Sequence, residues 1–365
     1  MFRFDFMKLE HLRVNHLRCL SDMQISLGSE INVFTGPNGA GKTSVLEAAY
    51  LLSHGRSFRS GSKDALLQRG AAQLSSFAEL QHADGRVARV GLGREGPRWE
   101  ARVDGERVPL GRLVQECAVV CFEPGSHALI AAGAEERRRY LDWGVFHVEH
   151  EFLSVWRRYQ RALKQRNSLL RSMTSPADET LASWEAELAQ TAESIDRQRK
   201  AYLSLLEPLL QGKALDLLPE LGCVELHYRR GWTEGHDLAR QLFECRSRDV
   251  ARGHTTLGAH RGDWSLSYQH APLREHLSRG QEKLTALACM LAQAELFSKV
   301  RGEWPIVCLD DLASELDVTH QAAVVGQLIS ANAQVLITGT DIPFALQPVP
   351  AHVFHVEQGQ LTRLL

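Results

Sequence analysis

No run in this chain is apolar enough over enough residues to span a bilayer, and Met1-Phe2-Arg3-Phe4-Asp5-Phe6 interleaves charge with its aromatics where an export signal would carry an apolar core. Both absences exclude a membrane-embedded or exported protein and leave a cytoplasmic one as the expectation. The seven cysteines (Cys19, Cys117, Cys121, Cys223, Cys245, Cys289 and Cys308) include no CxxC pair. Neither a zinc site nor a disulfide framework follows, and reduced thiols are expected, with Cys308 inside an apolar run and therefore in the core. Charge of one sign is lacking too: the net charge is -2, so any nucleic-acid surface must be local. Internal repeats and low-complexity segments are absent. What remains is 365 residues with 44% hydrophobic content, ample for a globular core and for one to three domains.

The most informative stretch is Gly36-Pro37-Asn38-Gly39-Ala40-Gly41-Lys42-Thr43, which matches G-x-x-x-x-G-K-[ST] without a gap. Residues 31–35 before it read as a strand and residues 44–52 after it as a helix, the context a phosphate-binding loop requires. Its glycines let the backbone wrap an anion, and loop amides and the helix N-terminus present positive partial charge to phosphates. Lys42 adds a full charge near the β- and γ-phosphates, and Thr43 offers a hydroxyl to Mg²⁺. ATP and Mg²⁺ are the expected ligands.

Pro305-Ile306-Val307-Cys308-Leu309-Asp310-Asp311 reads as a buried parallel strand ending in two carboxylates. In a P-loop enzyme the first acid holds Mg²⁺, so Asp310 takes that role and Asp311 is placed to orient or activate water. Alone, the same residues suit an acidic turn after a core strand. Leu277-Ser278-Arg279-Gly280-Gln281-Glu282-Lys283 opens an apolar helix. Its terminus can bind an anion, and Ser278 with Gln281 also fits an ordinary helix cap.

The predicted organisation is α/β. Strands and the P-loop helix occupy residues 8–52, and residues 75–110 form a β-meander with turns at Asp84-Gly85, Gly93 to Gly96 and Asp104-Gly105. Residues 119–122 form a strand. Glu135 to Arg171 is helical with an interruption near Gly144. A further helix opens at Ser175-Pro176-Ala177-Asp178, repeats Leu181, Leu188, Ile195 and Tyr202 every seventh position with Trp184 and Leu205 on a companion seam, and ends or kinks at Pro208. Residues 223–270 read as short strands and turns. Helices at 281–299 and 318–330 alternate with strands at 306–309 and 335–338, before a hairpin at Gln358-Gly359. The division is residues 1–115 for the N-terminal ATPase part, 116–270 for a largely helical insertion and 271–365 for the C-terminal ATPase part.

The three site elements in this order resemble an ABC-type ATPase head: Walker A, then the Ser278, Gly280 and Gln281 signature, then Walker B followed by Ser314-Glu315-Leu316-Asp317 as the D-loop. Gly55-Arg56-Ser57-Phe58-Arg59-Ser60, residues 137–144, Leu163-Lys164-Gln165-Arg166-Asn167, His260-Arg261-Gly262-Asp263 and residues 310–317 together resemble the RecF family of bacterial recombination-mediator ATPases. That resemblance implies an ATP-driven homodimer on single-stranded or gapped duplex DNA, with slow hydrolysis, RecO and RecR as partners, and a role in recombinase loading, fork maintenance and the SOS response. Gly125 and Gly262 stand where the family usually carries an acid, and residues 337–341 stand where transporters carry a switch histidine. Arg157, Arg161 and Lys164 share one face of a helix whose basic run also holds Arg158, Arg166 and Arg171 without an acid, the best local candidate for DNA phosphates. The same pattern suits a solvated helix whose aromatics pack inward. Arg56, Arg59 and Lys63 form a weaker cluster. The competing readings are a transporter ATPase subunit, disfavoured by the long basic insertion between Lys42 and Ser278, and an ATP-gated DNA clamp that never hydrolyses.

Overall fold

The computed structural model describes residues 6–59, 63–172, 178–346, 349 and 351–364. The chain begins β1 (Lys8–Leu17), β2 (Leu20–Ser26), β3 (Ile31–Thr35), α1 (Lys42–His54), β4 (Gln73–Gln81), β5 (Val87–Glu95), β6 (Arg98–Val103), β7 (Glu106–Val108), α2 (Leu110–Glu116) and β8 (Val119–Phe122). It continues through α3 (Ala128–Ala131), α4 (Ala134–Val148), α5 (Phe152–Ser172), α6 (Asp178–Leu217), β9 (Val224–Arg229), α7 (Leu238–Glu244), α8 (Arg246–Arg252) and β10 (Asp263–Tyr268). Then follow α9 (Arg279–Arg301), β11 (Ile306–Leu309), α10 (Leu312–Glu315), α11 (Val318–Ser330), β12 (Val335–Thr338), β13 (His352–Glu357) and β14 (Gln360–Arg363). Two compact units result: Met1–Ser126 with Met290–Leu365, and His127–Cys289.

The first unit holds two sheets. One is antiparallel, in the order β2-β1-β4-β5-β6-β7; the other runs β14-β13-β3-β12-β11-β8 and is parallel except for the β13–β14 hairpin. Every residue of β3, β8, β11 and β12 is buried. Strands covered on both faces read as unbroken apolar runs, which is why these four were visible in the sequence. In β1 the burial alternates, with Leu12 and Val14 inward and Arg13 outward, and a bulge between Leu9 and His11 re-phases the strand so that Leu9 also faces in. Helix α1 packs against strands of both sheets, so Val45, Leu46, Ala48, Ala49, Leu51 and Leu52 are all buried. The helix stops at Gly55, which is left-handed at φ 64 and donates its N–H to Leu51 O at 2.8 Å. Buried Gln334 bonds to both the N–H and the carbonyl of Leu9 and also donates to Gly28 O, tying β1 to the loop before β12.

The second unit is mainly helical, and α5 packs along α6 as a hairpin. Leu181, Leu188, Ile195 and Tyr202 are buried along that seam. Two motifs that the sequence presented separately interlock here. Arg137 grips Asp263 with Nε and Nη2 at 2.8 and 3.0 Å, Trp264 Nε1 donates to Arg137 O, and Arg138 donates to Gly262 O. Arg199 joins the same layer through Asp142 and Ala259 O. Gly262 fits because an added Cβ would lie 3.1 Å from Arg199 Nη1 and 3.2 Å from two backbone oxygens.

Several expectations are corrected. Gly144 lies inside α4, and the helical run breaks instead at residues 149–151. Pro208 does not end α6, which continues to Leu217; the companion-seam residue Leu205 is 51% exposed. Residues 223–270 contain α7 and α8 between their two strands. The second meander turn falls at Gly96, because Gly93 pairs within β5. The proposed cap at Ser175-Pro176-Ala177, together with Ser60 and the Lys63 side chain, lies outside the described residues.

Arg166, placed by sequence in the basic run, is fully buried. It donates to Glu185 at 3.0 Å, Asp249 at 2.7 Å and Thr255 at 2.9 Å, and Arg246 shares Glu185 at 2.7 Å. Breaking a buried pair strands the surviving charges in low dielectric. Arg166→Leu is expected to lower unfolding free energy by about 3–5 kcal/mol in urea titration, whereas exposed Arg161→Ala shifts it by about 0.5 kcal/mol or less.

His260 yields a pH-dependent expectation. Its Nε2 faces Thr255 O at 3.1 Å, an acceptor only, so Nε2 carries the proton of the neutral ring and Nδ1 accepts from the Tyr159 hydroxyl at 2.6 Å. Burial holds the imidazole down to about pKa 4. The unfolded chain takes up this proton below about pH 6.5 while the folded chain resists until about 4, so stability falls as pH drops through that window, by up to about 3 kcal/mol. His260→Gln removes that component, measurable as a flatter dependence of the urea midpoint on pH.

Candidate nucleotide site

The site lies beyond the C-terminal ends of three adjacent parallel strands, β3, β12 and β11. This end of an open α/β sheet is where ligands bind. After Thr35 the chain enters the loop through Gly36 at φ 141, Gly39 at φ 81 and Gly41 at φ 115, conformations that side chains resist. Gly36 is doubly constrained, since an added Cβ would come 2.1 Å from Val356 O of β13. The N–H groups of Asn38, Gly39 and Gly41 make no hydrogen bond to another described residue. Ala40 N–H turns back to Pro37 O, and Ala40 O receives Gly359 N–H at 2.8 Å, which docks the β13–β14 hairpin against the loop. Lys42 is 9% exposed and its Nζ donates to Gly36 O at 2.7 Å and Pro37 O at 3.0 Å. An ammonium inside a ring of free amides at a helix N-terminus is a cradle for a polyphosphate.

Asp310 follows β11 directly. Its Oδ1 accepts from Thr43 at 2.9 Å and from Thr338, at the end of β12, at 2.6 Å. Burial pushes the Asp310 carboxyl above the usual carboxylate range, against those two hydrogen bonds and the field of Arg59, while the Asp311 charge adds to the rise. A buried acid with so little compensating charge is suited to a cation. Because Thr43 donates its proton to Asp310, its oxygen keeps lone pairs for a metal. Among the described residues no cluster of three or more His, Cys, Asp or Glu could hold a metal by itself. One hydroxyl and one carboxylate fit Mg²⁺, which keeps waters and takes its other ligands from phosphates.

Asp311 sits in the left-handed region at φ 53, ψ 44, and its N–H donates to Thr338 Oγ1 at 2.8 Å. Thr338 therefore holds both acids by one hydroxyl. Three supports were not anticipated as such. Glu47 of α1, wholly buried, accepts Arg18 through Nε at 3.0 Å and Nη2 at 2.8 Å, receives the Ser57 hydroxyl, and lies 4.0 Å from Arg59. An acid within an otherwise apolar helix was the readable signal for it, and the threonine ending an apolar strand was the signal for Thr338. After β8, Glu123 Oε2 accepts Gly125 N–H, and an added Cβ at residue 125 would approach Glu123 Oε1 to 2.7 Å.

The remaining sequence-chosen residues act as caps. Ser278 N–H donates to Gln281 Oε1 at 3.0 Å and Gln281 N–H to Ser278 Oγ at 3.2 Å, a reciprocal capping box at the start of α9. Gly280 is exposed, and a Cβ there would meet only Ser278 Oγ at 3.9 Å. Asp317 caps α11 through His320 N–H at 3.0 Å, and that bond holds its carboxyl below the usual range. Lys42, Thr43, Asp310, Asp311 and Asp317 belong to the first unit; Ser278, Gly280 and Gln281 belong to the second. On α5, Arg157, Arg161 and Lys164 are exposed and form no ion pair with another described residue, whereas Arg158 is held by Glu187 at 2.8 Å and Tyr159 is buried.

Comparison with known proteins places this geometry. Residues 8–359 match the family described as the RecF/RecN/SMC N terminal domain. The chain is 49% identical to the DNA replication and repair protein RecF of Xanthomonas euvesicatoria pv. vesicatoria, covering 98% of this chain and 99% of that one. It is 36% identical to the RecF of Shewanella denitrificans, with 98% and 99% covered. A solved structure of the recombination mediator protein RecF with ATP in the RecFOR pathway superposes with TM-score 0.89 at 25% identity, covering 99% of this chain and 98% of that one. The Smc head domain of Pyrococcus furiosus shares the fold at TM-score 0.57 and 13% identity, with 98% and 96% covered. No helix among the described residues is long and apolar enough to cross a membrane. The chain belongs to the RecF family.

Proposed function

We propose that this protein is an ATP-dependent DNA-binding protein of recombinational repair and replication, which closes as a homodimer around ATP and Mg²⁺. The observation that carries the reading is the Thr43–Asp310–Thr338 hydrogen-bonded set beside the Lys42 cradle. Lys42 exchanges its bonds to Gly36 O and Pro37 O for phosphate oxygens. Thr43 and Asp310 hold Mg²⁺, whose charge is the Lewis acid for phosphoryl transfer. Asp311, fixed by its own N–H on Thr338, orients the attacking water and takes its proton. Ser278, Gly280 and Gln281 of the partner subunit meet the γ-phosphate; bare Gly280 leaves room for that approach. Those contacts exist for ATP and not for ADP, so hydrolysis opens the dimer. Hydrolysis is slow and DNA-dependent, because an aspartate side chain is a short reach for the base. Gapped or single-stranded DNA lies against Arg157, Arg161 and Lys164, with RecR- and RecO-like proteins as partners in the cytoplasm.

Single-turnover ATP hydrolysis tests the chemistry. Asp311→Asn is expected to slow it by about 10²-fold or more, and equal rates for wild type, Asp311→Asn and Asp311→Glu remove Asp311 from the base role. Light scattering tests closure: dimers with ATP and Mg²⁺, monomers with ADP. A protein monomeric under both, with DNA present, contradicts the proposal.

The DNA face is tested by salt dependence. Replacing Arg157, Arg161 and Lys164 together by alanine is expected to flatten the slope of log affinity against log salt by about 3, roughly one per lost phosphate contact. An unchanged slope assigns DNA to another surface.

A further inference from the structure

The outer face of the antiparallel sheet carries two glycines that the fold does not need. Gly91 and Gly93 lie inside β5, paired continuously to β4 and β6 with no bulge. Neither has a positive φ. A Cβ at Gly91 would meet Phe77 Cδ2 at 3.8 Å, and one at Gly93 would meet Leu74 O at 3.7 Å, both ordinary contacts. Backbone conformation and crowding therefore do not explain glycine, which weakens a strand interior. The remaining reason for glycine in a strand is close approach of something else to the bare backbone.

The surroundings indicate what approaches. Register places Arg13, Phe77, Gly91, Arg102 and Arg107 directly opposite one another across five strands, on one face. Phe77 is 38% exposed in the middle of that row. Arg13 forms no ion pair with another described residue, and Arg102 and Arg107 share the single carboxylate of Glu100, at 2.6 and 2.7 Å. Cationic charge thus exceeds anionic charge along the row, in a chain whose net charge is -2. Arg13, Phe77, Gly93, Glu100, Arg102 and Arg107 line an open trough of 1320 Å³, and Gly91 lies beside it as the direct cross-strand neighbour of Phe77.

We propose that this trough binds single-stranded DNA, with a base stacked on Phe77 over the bare backbone of Gly91 and phosphates held by Arg13 and Arg102. An exposed aromatic on a sheet face flanked by arginines is how proteins bind unpaired strands without reading sequence. Duplex DNA presents no free base face to Phe77. The surface belongs to the first unit, whereas the exposed cations of α5 belong to the second, and it uses no nucleotide, so it adds a second nucleic-acid contact to the ATP-dependent one.

The test is fluorescence anisotropy of a labelled thymidine homopolymer, without nucleotide and again with ADP, against a duplex of equal length. Wild type is expected to prefer the single strand in both conditions. Phe77→Ala, and separately the Gly91→Val/Gly93→Val pair, are expected to weaken that binding about tenfold, since one stacked base is worth about 1–3 kcal/mol. Valine suits a strand, and melting temperature with retained binding of a fluorescent ATP analogue confirms that each variant is folded. Homopolymer affinity unchanged in Phe77→Ala overturns the proposal. So does polyglutamate displacing the homopolymer with equal effect in wild type and Phe77→Ala, which identifies an acidic-peptide surface. Failure of ATP-dependent closure would appear instead in light scattering, leaving this measurement intact.

Discussion

One carboxylate oxygen organises the nucleotide end of this molecule. Asp310 Oδ1 accepts hydroxyl protons from Thr43 on the helix after the loop and from Thr338 at the end of the middle strand. This arrangement exists because β12 lies between β3 and β11 in the parallel sheet, level with both in register. The strand that contributes no loop and no acid thereby supplies the hydroxyl that fixes the acid against the loop. The same hydroxyl receives Asp311 N–H, so the second acid is positioned by backbone and not by its own side-chain bonds. Burial raises the proton affinity of Asp310, and a cation beside it relieves that cost.

The sequence disclosed what depends on local pattern. The P-loop, the buried parallel strands and the cap at Ser278 are contiguous signals, and each stands where its pattern placed it. What it hid depends on chain-distant partners. Glu47 carried no assigned role in the sequence, because its partners Arg18 and Ser57 lie outside its own helix. Pro208 read as an end or a kink, and the helix continues nine residues beyond it. Helices α7 and α8 are each only seven residues long, too short for a periodic signal.

Arginine is used for two incompatible purposes, and only burial separates them. Within the single basic helix α5, Arg166 is sealed in an ion cluster while Arg157 and Arg161 face outward unpaired. A helix turn of about 100° per residue is enough to divide them. Counting charges along the sequence overstates the surface available to a polyanion; counting exposed, unpartnered guanidinium groups gives the smaller and physically relevant number.

Glycine divides in the same way. Gly36, Gly39 and Gly41 are required by positive φ, and Gly36 also by the 2.1 Å approach of Val356 O. Gly262 is favoured by two backbone oxygens that crowd the space a side chain would need. Gly91, Gly93 and Gly280 meet neither condition, since each has an ordinary φ and a Cβ there would make only ordinary contacts. Such a glycine leaves bare backbone for another molecule to approach closely. At Gly280 the proposed occupant is a phosphate held by another subunit. On β5, with Phe77 and Arg13 alongside, it is an unpaired nucleic-acid strand.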